Sequence, residues 1–367
     1  MSAVPAERIE SLDAIRGVAL FGVLTVNLVT EFRVSLFQQF LPSAATGADL
    51  FVAHAVSLVL EQKAFSLFAL IFGVGLGIQY ERLSATGRPL FWLARRLAVL
   101  LVFGLVHLLF VWNGDILTEY ALAGFLVLPL LRLGNKALFF VALAFLALFM
   151  VGPKLYSAPW PDAAGLRAHV AAANHAYATG SLAQIWRFSW HELPLFFTLH
   201  VWVFPRTLAL FILGVFLWRS GVLARPQSFG SELFIVAILA FVAGAAQPAA
   251  NAGLAPVFLA LAYGTALLLL AEWRPARGLL SRFAPLGRMA FTNYVLQSLV
   301  FGFVFFGYGL GQFGRWGAAA ALALGVAVYV AQLALSKWWL GRYRFGPLEW
   351  LWRSLMYGVR QPMAKPA

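Results

Sequence analysis

The run Leu233-Phe-Ile-Val-Ala-Ile-Leu-Ala-Phe-Val-Ala-Gly-Ala-Ala-Gln-Pro-Ala-Ala-Asn-Ala-Gly-Leu-Ala-Pro-Val-Phe-Leu-Ala-Leu-Ala-Tyr-Gly-Thr-Ala-Leu-Leu-Leu-Leu-Ala271 contains no Asp, Glu, Lys or Arg over 39 residues. A membrane-spanning helix needs about 20 mostly apolar residues, so this run is twice too long for one span. Gln247-Pro248 and Asn251-Ala252-Gly253 supply the turn that splits it in two. The rest of the chain follows the same pattern. Of its 367 residues 62% are hydrophobic and only 11% are charged, and the mean hydropathy is +0.83. A soluble domain carries about 25% charged residues, so a water-soluble enzyme, a disordered chain and a fibrous repeat are excluded. No polar block is large enough to be a separate domain, which makes residues 1–367 a single integral membrane domain. With no cysteine, disulfides, thiolate nucleophiles and Cys-ligated metals are excluded as well.

Charged residues mark the ends of the remaining apolar runs. These are Leu12 to Thr30, Ala64 to Tyr80, Leu97 to Trp112, Asp115 to Leu131, Ala137 to Pro153, Leu193 to Trp218, Met289 to Leu310 and Trp316 to Ser336. With the two halves of the opening run they predict an all-α polytopic bundle of about ten spans. The net charge of +13 reads as an orientation signal and not as a nucleic-acid footprint. With the N-terminus inside, 20 of the 27 Lys and Arg fall in inner segments, so both termini are expected in the cytoplasm. The first apolar run lacks a small-residue cleavage site and reads as a retained helix. The outer segment 154–192 contains Pro159 and Pro161, a helical run from Asp162 to Ala178, Gly180 as a stop and Ser181 as an N-cap, and reads as an extracytoplasmic helical lid. Residues 338–367, rich in Trp, Tyr and Arg, read as a cytoplasmic interfacial tail with Glu349 and Arg353 spaced as an i,i+4 pair.

Buried polar groups are costly in a bilayer and mark function. Asn27 lies eleven residues beyond Arg16 and His107 eleven beyond Arg96, each about 16 Å along its helix. Gln297 is nine beyond Arg288, about 13 Å. The three share a layer near the midplane, which predicts a common cavity; the competing role for the two amides is to bond neighbouring helices. His107 stands apart because imidazole exchanges protons near neutral pH. Further out, Asp115 and Glu119 are i,i+4 at a helix start, suited to capping or to a cationic or hydroxylated substrate. Glu31, Arg33, Glu61 and Lys63 lie near the same level and are able to pair with one another. Arg206 follows Pro205 in mid-span and is expected to face a cavity. No zinc spacing occurs among the histidines, so no metal is expected, and no Gly-rich Lys-Ser/Thr loop supports nucleotide hydrolysis. Gly73-Val-Gly-Leu-Gly77 sits inside an apolar helix, where close packing is the stronger reading than a dinucleotide loop.

The opening Arg8-Ile-Glu-Ser-Leu-Asp-Ala-Ile-Arg-Gly-Val-Ala-Leu, closing with Asn27, resembles the start of the transmembrane acyltransferase superfamily, which includes heparan-α-glucosaminide N-acetyltransferase. The whole chain resembles the YeiB-like bacterial membrane proteins through Phe65-Ser-Leu-Phe with Phe72-Gly73, Arg95-Arg96, Gly104 with His107, and Gly114-Asp115-Ile116-Leu117. Gly287-Arg288-Met289-Ala290 with Thr292-Asn293-Tyr294, and Gly346-Pro347-Leu348-Glu349-Trp350 with Trp352-Arg353, extend the match nearly to the C-terminus. The resemblance implies acyl transfer from a cytoplasmic acyl-CoA, acetyl-CoA in the first instance, to an extracytoplasmic or lipid-borne sugar hydroxyl or amine. The relatives' catalytic histidine in the first outer loop is missing here, because Glu31 to Thr46 holds none, and His107 is the replacement base.

On that reading Arg16, Arg95, Arg96 and Arg288 at the inner mouth bind the acyl-CoA phosphates. The pantetheine arm, extended over more than about 15 Å, carries the thioester toward the midplane. His107 is the general base, and Asn27 or Gln297 donates to the oxyanion. Asp115 binds acceptor, with orientation of His107 as a second option that requires the chain to turn at Asn113-Gly114. Glu119, Arg206, Asn293 and Glu31 complete the substrate contacts. The expected partners are membrane lipids, acyl-CoA and a glycan or lipid acceptor, without nucleic acid; a homodimer is left open. The same residues also fit a transporter or flippase in which Arg206, Asp115 and Glu119 line the path and His107 relays protons, and an enzymatically silent scaffold remains a third reading.

Overall fold

In the computed structural model, the structure describes residues 10–40, 45–155, 161–247 and 253–365. The sequence features at Arg8, Pro159, Pro248, Asn251 and Ala252 lie outside these residues. Every regular element among the described residues is helical, apart from an isolated bridge between Tyr343 and Ala364.

The chain runs through α1 (Glu10–Asn27), α2 (Gly47–Val59), α3 (Lys63–Ser84), α4 (Pro89–Phe110), α5 (Leu117–Val127), α6 (Asn135–Leu155), α7 (Ala163–Thr179) and α8 (Leu182–Arg219). It continues through α9 (Gly230–Ala245), α10 (Ala255–Glu272), α11 (Arg274–Leu280), α12 (Ala284–Arg288), α13 (Ala290–Phe305), α14 (Ala318–Arg342) and α15 (Pro347–Tyr357). Local chemistry sets many of the boundaries. Thr46 and Asp49 form a capping box at the start of α2. Pro89 opens α4 at a position where its missing N–H costs nothing. Asp162 caps α7 by accepting the Gly165 N–H at 2.7 Å. Gly180 closes α7, and Ser181 with Gln184 forms the capping box of α8.

Eight helical stretches are long and apolar enough to cross a membrane, so this is an all-helical membrane protein. They are Glu10–Phe32, Gly47–Ser84, Pro89–Phe110, Asn135–Gly152, Leu182–Arg219, Pro226–Ala245, Ala255–Glu272 and Ala318–Arg342; Ala290–Phe305 is apolar but shorter. Two sequence expectations change. The run from Asp115 to Leu131 forms only the 11 residues of α5, about 16 Å, because the chain is still turning at Asp115 and the proline at 129 starts a 3-10 turn. The expected break between lid and sixth span is absent: α8 runs through Pro194 and Pro205 for 38 residues, about 57 Å, so its first turns project past a bilayer core of about 30 Å. The long opening run splits as expected, with Gly253 at φ +54° in the connection.

α1 is central, with 83% of its most apolar stretch buried. α9 is peripheral and presents Phe234, Ile235, Ile238, Leu239 and Phe241 outward, the inverse of a soluble helix and suited to lipid. The beginnings of α1, α4 and α13 meet α12 and α15 at one end of the bundle, here the terminal end. A methyl group on Gly287 would lie 1.9 Å from Asp13 O, so α12 lies directly on α1. At the opposite end α7 lies across the helix connections. Tyr177 O accepts the Gly307 N–H at 2.7 Å, and the Tyr177 ring stacks on Phe306 at 4.9 Å.

The Glu349 carboxylate, spaced i,i+4 from Arg353 along α15, is engaged by the start of α13. It accepts the N–H of Phe291 at 2.9 Å and of Thr292 at 3.0 Å, together with the Thr292 hydroxyl. α13 has no side-chain cap of its own, so Glu349 acts as one from 58 residues away. Glu349→Ala is therefore expected to cost about 1–3 kcal/mol through unsatisfied donors. Thermal unfolding of the detergent-purified protein measures this; Glu349→Gln, which keeps an acceptor, recovers most of the loss, and an unchanged Tm for the alanine variant refutes the cap.

Candidate functional site

His107 stands three residues before the end of α4, where the chain stops being helical and folds back. The N–H groups of Val111 and Trp112 both return to His107 O, at 2.9 and 2.8 Å. The turn is held by Trp112, buried and stacked on Phe32 with centroids 4.1 Å apart. It delivers Asp115 to the imidazole, with Oδ1 2.9 Å from His107 Nδ1. The carboxylate also accepts the N–H of Leu117 at 3.1 Å and of Thr118 at 2.7 Å, so the group that meets His107 is fixed by capping α5. Gly104 makes the approach possible: a Cβ there would lie 2.5 Å from Thr118 N. The Asp115–His107 contact is close but bent, short of hydrogen-bond alignment. Such bonds commonly straighten only in the reacting complex.

On the other side of the ring, His107 Nε2 lies 2.9 Å from Ser298 Oγ on α13. All three residues are about 2% exposed. An Nδ1–H facing Asp115 leaves Nε2 as the acceptor for the serine O–H. Carboxylate, imidazole and hydroxyl thus stand in the order used to activate a serine. Tyr294, one turn before Ser298, lies with its ring 5.2 Å from the imidazole, and its Oη accepts the Ile116 N–H at 3.4 Å.

Two further polar groups surround this turn. Asn113 donates to Glu192 Oε2 at 2.9 Å and to Tyr177 Oη at 3.2 Å, and Tyr177 itself donates to Glu192. His169 of α7 approaches Glu192 Oε1 at 2.9 Å. Burial, and then the Glu192 charge, hold the Tyr177 hydroxyl well above its ordinary pKa, so it stays a donor. The lid is thereby tied to the same turn that carries Asp115. Between α5 and α8, Glu119 accepts the Thr207 hydroxyl, lies 3.5 Å from His200 Nε2 and faces the buried Arg206 electrostatically. Arg206 also lies over the Phe149 ring at 5.5 Å. A small pocket lined by Leu108, Asn113, Tyr177, Trp186, Ser189 and Phe306 opens between lid and turn.

At the terminal end Arg96 sits 3.9 Å over the Trp352 ring, with Arg16 and Arg353 within electrostatic range. Arg16 pairs with Asp13 at 2.8 Å, and Arg95 donates to Leu355 O at 3.1 Å. Arg288 follows Gly287, which rests on Asp13 and Gly17. All of these arginines are half-buried, as at a mouth.

The expected residues are thus brought together only in part. His107 is where the depth ruler put it relative to Arg96. Asp115, read first as an acceptor-binding residue and second as the group that orients His107, meets His107: rise along one helix would separate them by about 12 Å, but the chain turns at Asn113-Gly114 as the second reading requires. Gln297, read as an oxyanion donor, gives its amide to Gln332 at 2.7 Å. Asn293, read as a substrate contact, bonds Ser336 at 2.9 Å; both amides join α13 to α14. Asn27 is buried at the end of α1, with no hydrogen bond to His107 among the described residues. Glu31 is half-buried, and its Oε2 would lie 2.6 Å from a Cβ on Gly114, one residue before Asp115. Glu119 and Arg206 share the second cluster. Ser298, Tyr294, Tyr177 and Glu192 were missed as site residues. Ser298 was within reach, since it lies ten residues beyond Arg288, about 15 Å, the level of His107.

A family model described as "Protein of unknown function (DUF418)" matches residues 184–359. Over its whole length the chain is similar to bacterial proteins. It is 33% identical to the "Uncharacterized protein YxaH" of Bacillus subtilis, covering 98% of this chain and 96% of that one. It is 30% identical to the "Uncharacterized protein YeiB" of Escherichia coli, covering 97% and 98%. It is also 30% identical to an "Uncharacterized 39.9 kDa protein in amylase 3'region" of Bacillus acidopullulyticus, covering 97% and 96%.

Proposed function

We propose, from the premise that the chain belongs to the YeiB-like (DUF418) family, that it is a membrane acyltransferase. It moves an acyl group from a cytoplasmic acyl-CoA to a hydroxyl or amine of an extracytoplasmic or lipid-borne acceptor, in the bacterial cytoplasmic membrane. The observation that carries this reading is the buried imidazole of His107, set between Asp115 and a hydroxyl at 2.9 Å on either side. A histidine so held is a general base, and proton removal from a hydroxyl or amine is the step that acyl transfer needs. The arginines of the terminal end support a donor site: guanidinium forks match phosphate oxygens, and Arg16, Arg96, Arg288 and Arg353 gather there. The excess of basic residues at that end supports its facing the cytoplasm.

Tritiated acetyl-CoA, incubated with the protein in nanodiscs and a panel of sugar and amine acceptors, tests the reading. Transfer of label to any acceptor, lost in His107→Ala, is the expected result; no transfer and no bound acetyl-CoA overturn it. Arg96→Ala, which leaves the His107 level untouched, is expected to raise KM for acetyl-CoA about 10-fold or more with kcat little changed, as for loss of a charge-assisted phosphate contact.

A second reading has its own observation. Glu119, Arg206 and Thr207, with the partly exposed His200, form a polar set between α5 and α8, and such sets carry protons or ions in transporters. Proton uptake by proteoliposomes without acyl-CoA, abolished in Glu119→Gln, is the outcome that favours a transporter.

A further inference from the structure

We infer that Ser298 is the nucleophile of a two-step transfer, taking the acyl group from acyl-CoA as an ester before the acceptor receives it. The inference rests on the acyl-CoA reading and deepens it.

A general base serving the acceptor directly would hold Nε2 free for that hydroxyl. Here Nε2 faces Ser298 Oγ at 2.9 Å in a buried setting. Ser298 has a second interaction available, since its Oγ lies 3.3 Å from Tyr294 O one turn back, the ordinary resting bond of a helical serine. Its closeness to His107 therefore exceeds what helix solvation of a serine needs. Asp115 on the far nitrogen, fixed by two backbone donors, completes the order in which a serine becomes nucleophilic.

In the first step Ser298 Oγ attacks the thioester carbonyl while its proton passes to His107 Nε2. The C–S bond breaks, and the CoA thiolate takes that proton from His107 and leaves as the thiol. In the second step the acceptor's hydroxyl or amine gives its proton to His107 and attacks the ester carbonyl; Ser298 Oγ departs and recovers the proton. Asp115 holds the imidazolium in both steps. Tyr294 Oη, which receives the Ile116 N–H and whose ring lies 5.2 Å from the imidazole, is the group assigned to donate to the developing oxyanion. Trp112, Tyr294 and Phe32 pack around the site and keep water from the ester.

On the acyl-CoA reading donor and acceptor come from opposite sides of the membrane, and a covalent ester lets CoA leave before the acceptor arrives.

The test uses the full chain in nanodiscs with radiolabelled acetyl-CoA or palmitoyl-CoA and no acceptor. The expected result is a burst of CoA release and about one acyl group bound per chain. That label maps to the peptide containing Ser298, resists neutral hydroxylamine and yields to alkali. It falls about 10³-fold or more in Ser298→Ala and in His107→Gln. Ser298→Cys, which preserves volume and guards against misfolding, retains label as a hydroxylamine-sensitive thioester. Equal labelling of wild type and Ser298→Ala overturns the inference and leaves the acyl-CoA reading standing. Absence of label in wild type that still binds acetyl-CoA does the same. Absence of both binding and label removes the reading and the inference together.

Discussion

His107→Ala is expected to slow CoA release from acetyl-CoA by about 10²–10⁴-fold, the range for loss of a positioned general base. The loss should appear in kcat, since Arg95 and Arg96, proposed to hold the CoA phosphates, lie about 16–18 Å away along α4 and are untouched. Asp115→Asn separates positioning from folding. An asparagine oxygen still accepts the Thr118 N–H and only the Leu117 bond is lost, so the thermal midpoint should fall by less than in Asp115→Ala. The charge beside Nδ1 is lost, however, and the amide nitrogen offers the ring a donor where it needs an acceptor, which favours the wrong tautomer. The expected signature is a fall in kcat approaching that of His107→Ala, with KM for acetyl-CoA within about twofold of wild type. A variant that loses Tm and activity together would show Asp115 to be a cap and nothing more. Full activity in His107→Ala would end the catalytic assignment of the whole constellation.

The contrast between His107 and its partners shows what this sequence makes readable. Depth in a membrane bundle is a one-dimensional quantity, fixed by counting residues from a basic anchor at about 1.5 Å each. Counted this way, His107 from Arg96 and Ser298 from Arg288 fall at one level. Depth could not choose a face. Gln297 and Ser298 are neighbours in sequence yet point about 100° apart around α13, one bonding Gln332 and the other His107. Chemistry favoured the larger amide, and the hydroxyl that faces the imidazole passed as an ordinary small residue of a membrane helix. For Asp115 the sequence left two readings open. The signal for a reversal at Asn113-Gly114 was present, but whether the reversed chain returns to His107 depends on Gly104 admitting α5 against α4, which is a tertiary fact. Caps such as Ser181 with Gln184 and the stop at Gly180 were legible because their partners lie within three or four residues. Glu349 shows the limit of that rule, since it caps a helix far upstream in sequence.

Gly73→Leu is expected to prevent the protein from accumulating in folded form, and Gly75→Leu, two residues on, to be tolerated. The three glycines of Gly73-Val-Gly-Leu-Gly77 are alike in sequence, but α3 presents them to different surroundings. A Cβ on Gly73 would lie 2.2 Å from Phe211 O and 2.6 Å from Phe211 Cα, atoms of the α8 main chain that cannot rotate aside. The opposing Gly214 is equally confined, with its added Cβ 2.3 Å from Leu70 O. Here the two backbones touch through small residues, the device by which membrane helices gain dispersion contact without a hydrophobic drive between them. Around the crossing Phe72 stacks on Phe211 at 4.8 Å, and Tyr120 meets Phe211 edge-on at 5.1 Å. A leucine at Gly73 must part α3 from α8, the most extensively packed helix pair, and lose these contacts as well. Overpacking that moves main chain exceeds the usual 1–3 kcal/mol for core insertions, which is enough to remove most of a marginal stability. At Gly75 an added Cβ meets nothing within 4 Å, so the cost should stay within about 1 kcal/mol. Gly77, where the Trp218 ring would lie 3.1 Å away, falls between, because a side chain yields where a backbone does not. Size-exclusion profiles and thermal midpoints of the three leucine variants in detergent give the order. Similar behaviour at Gly73 and Gly75 would show that the α3–α8 crossing does not depend on backbone contact.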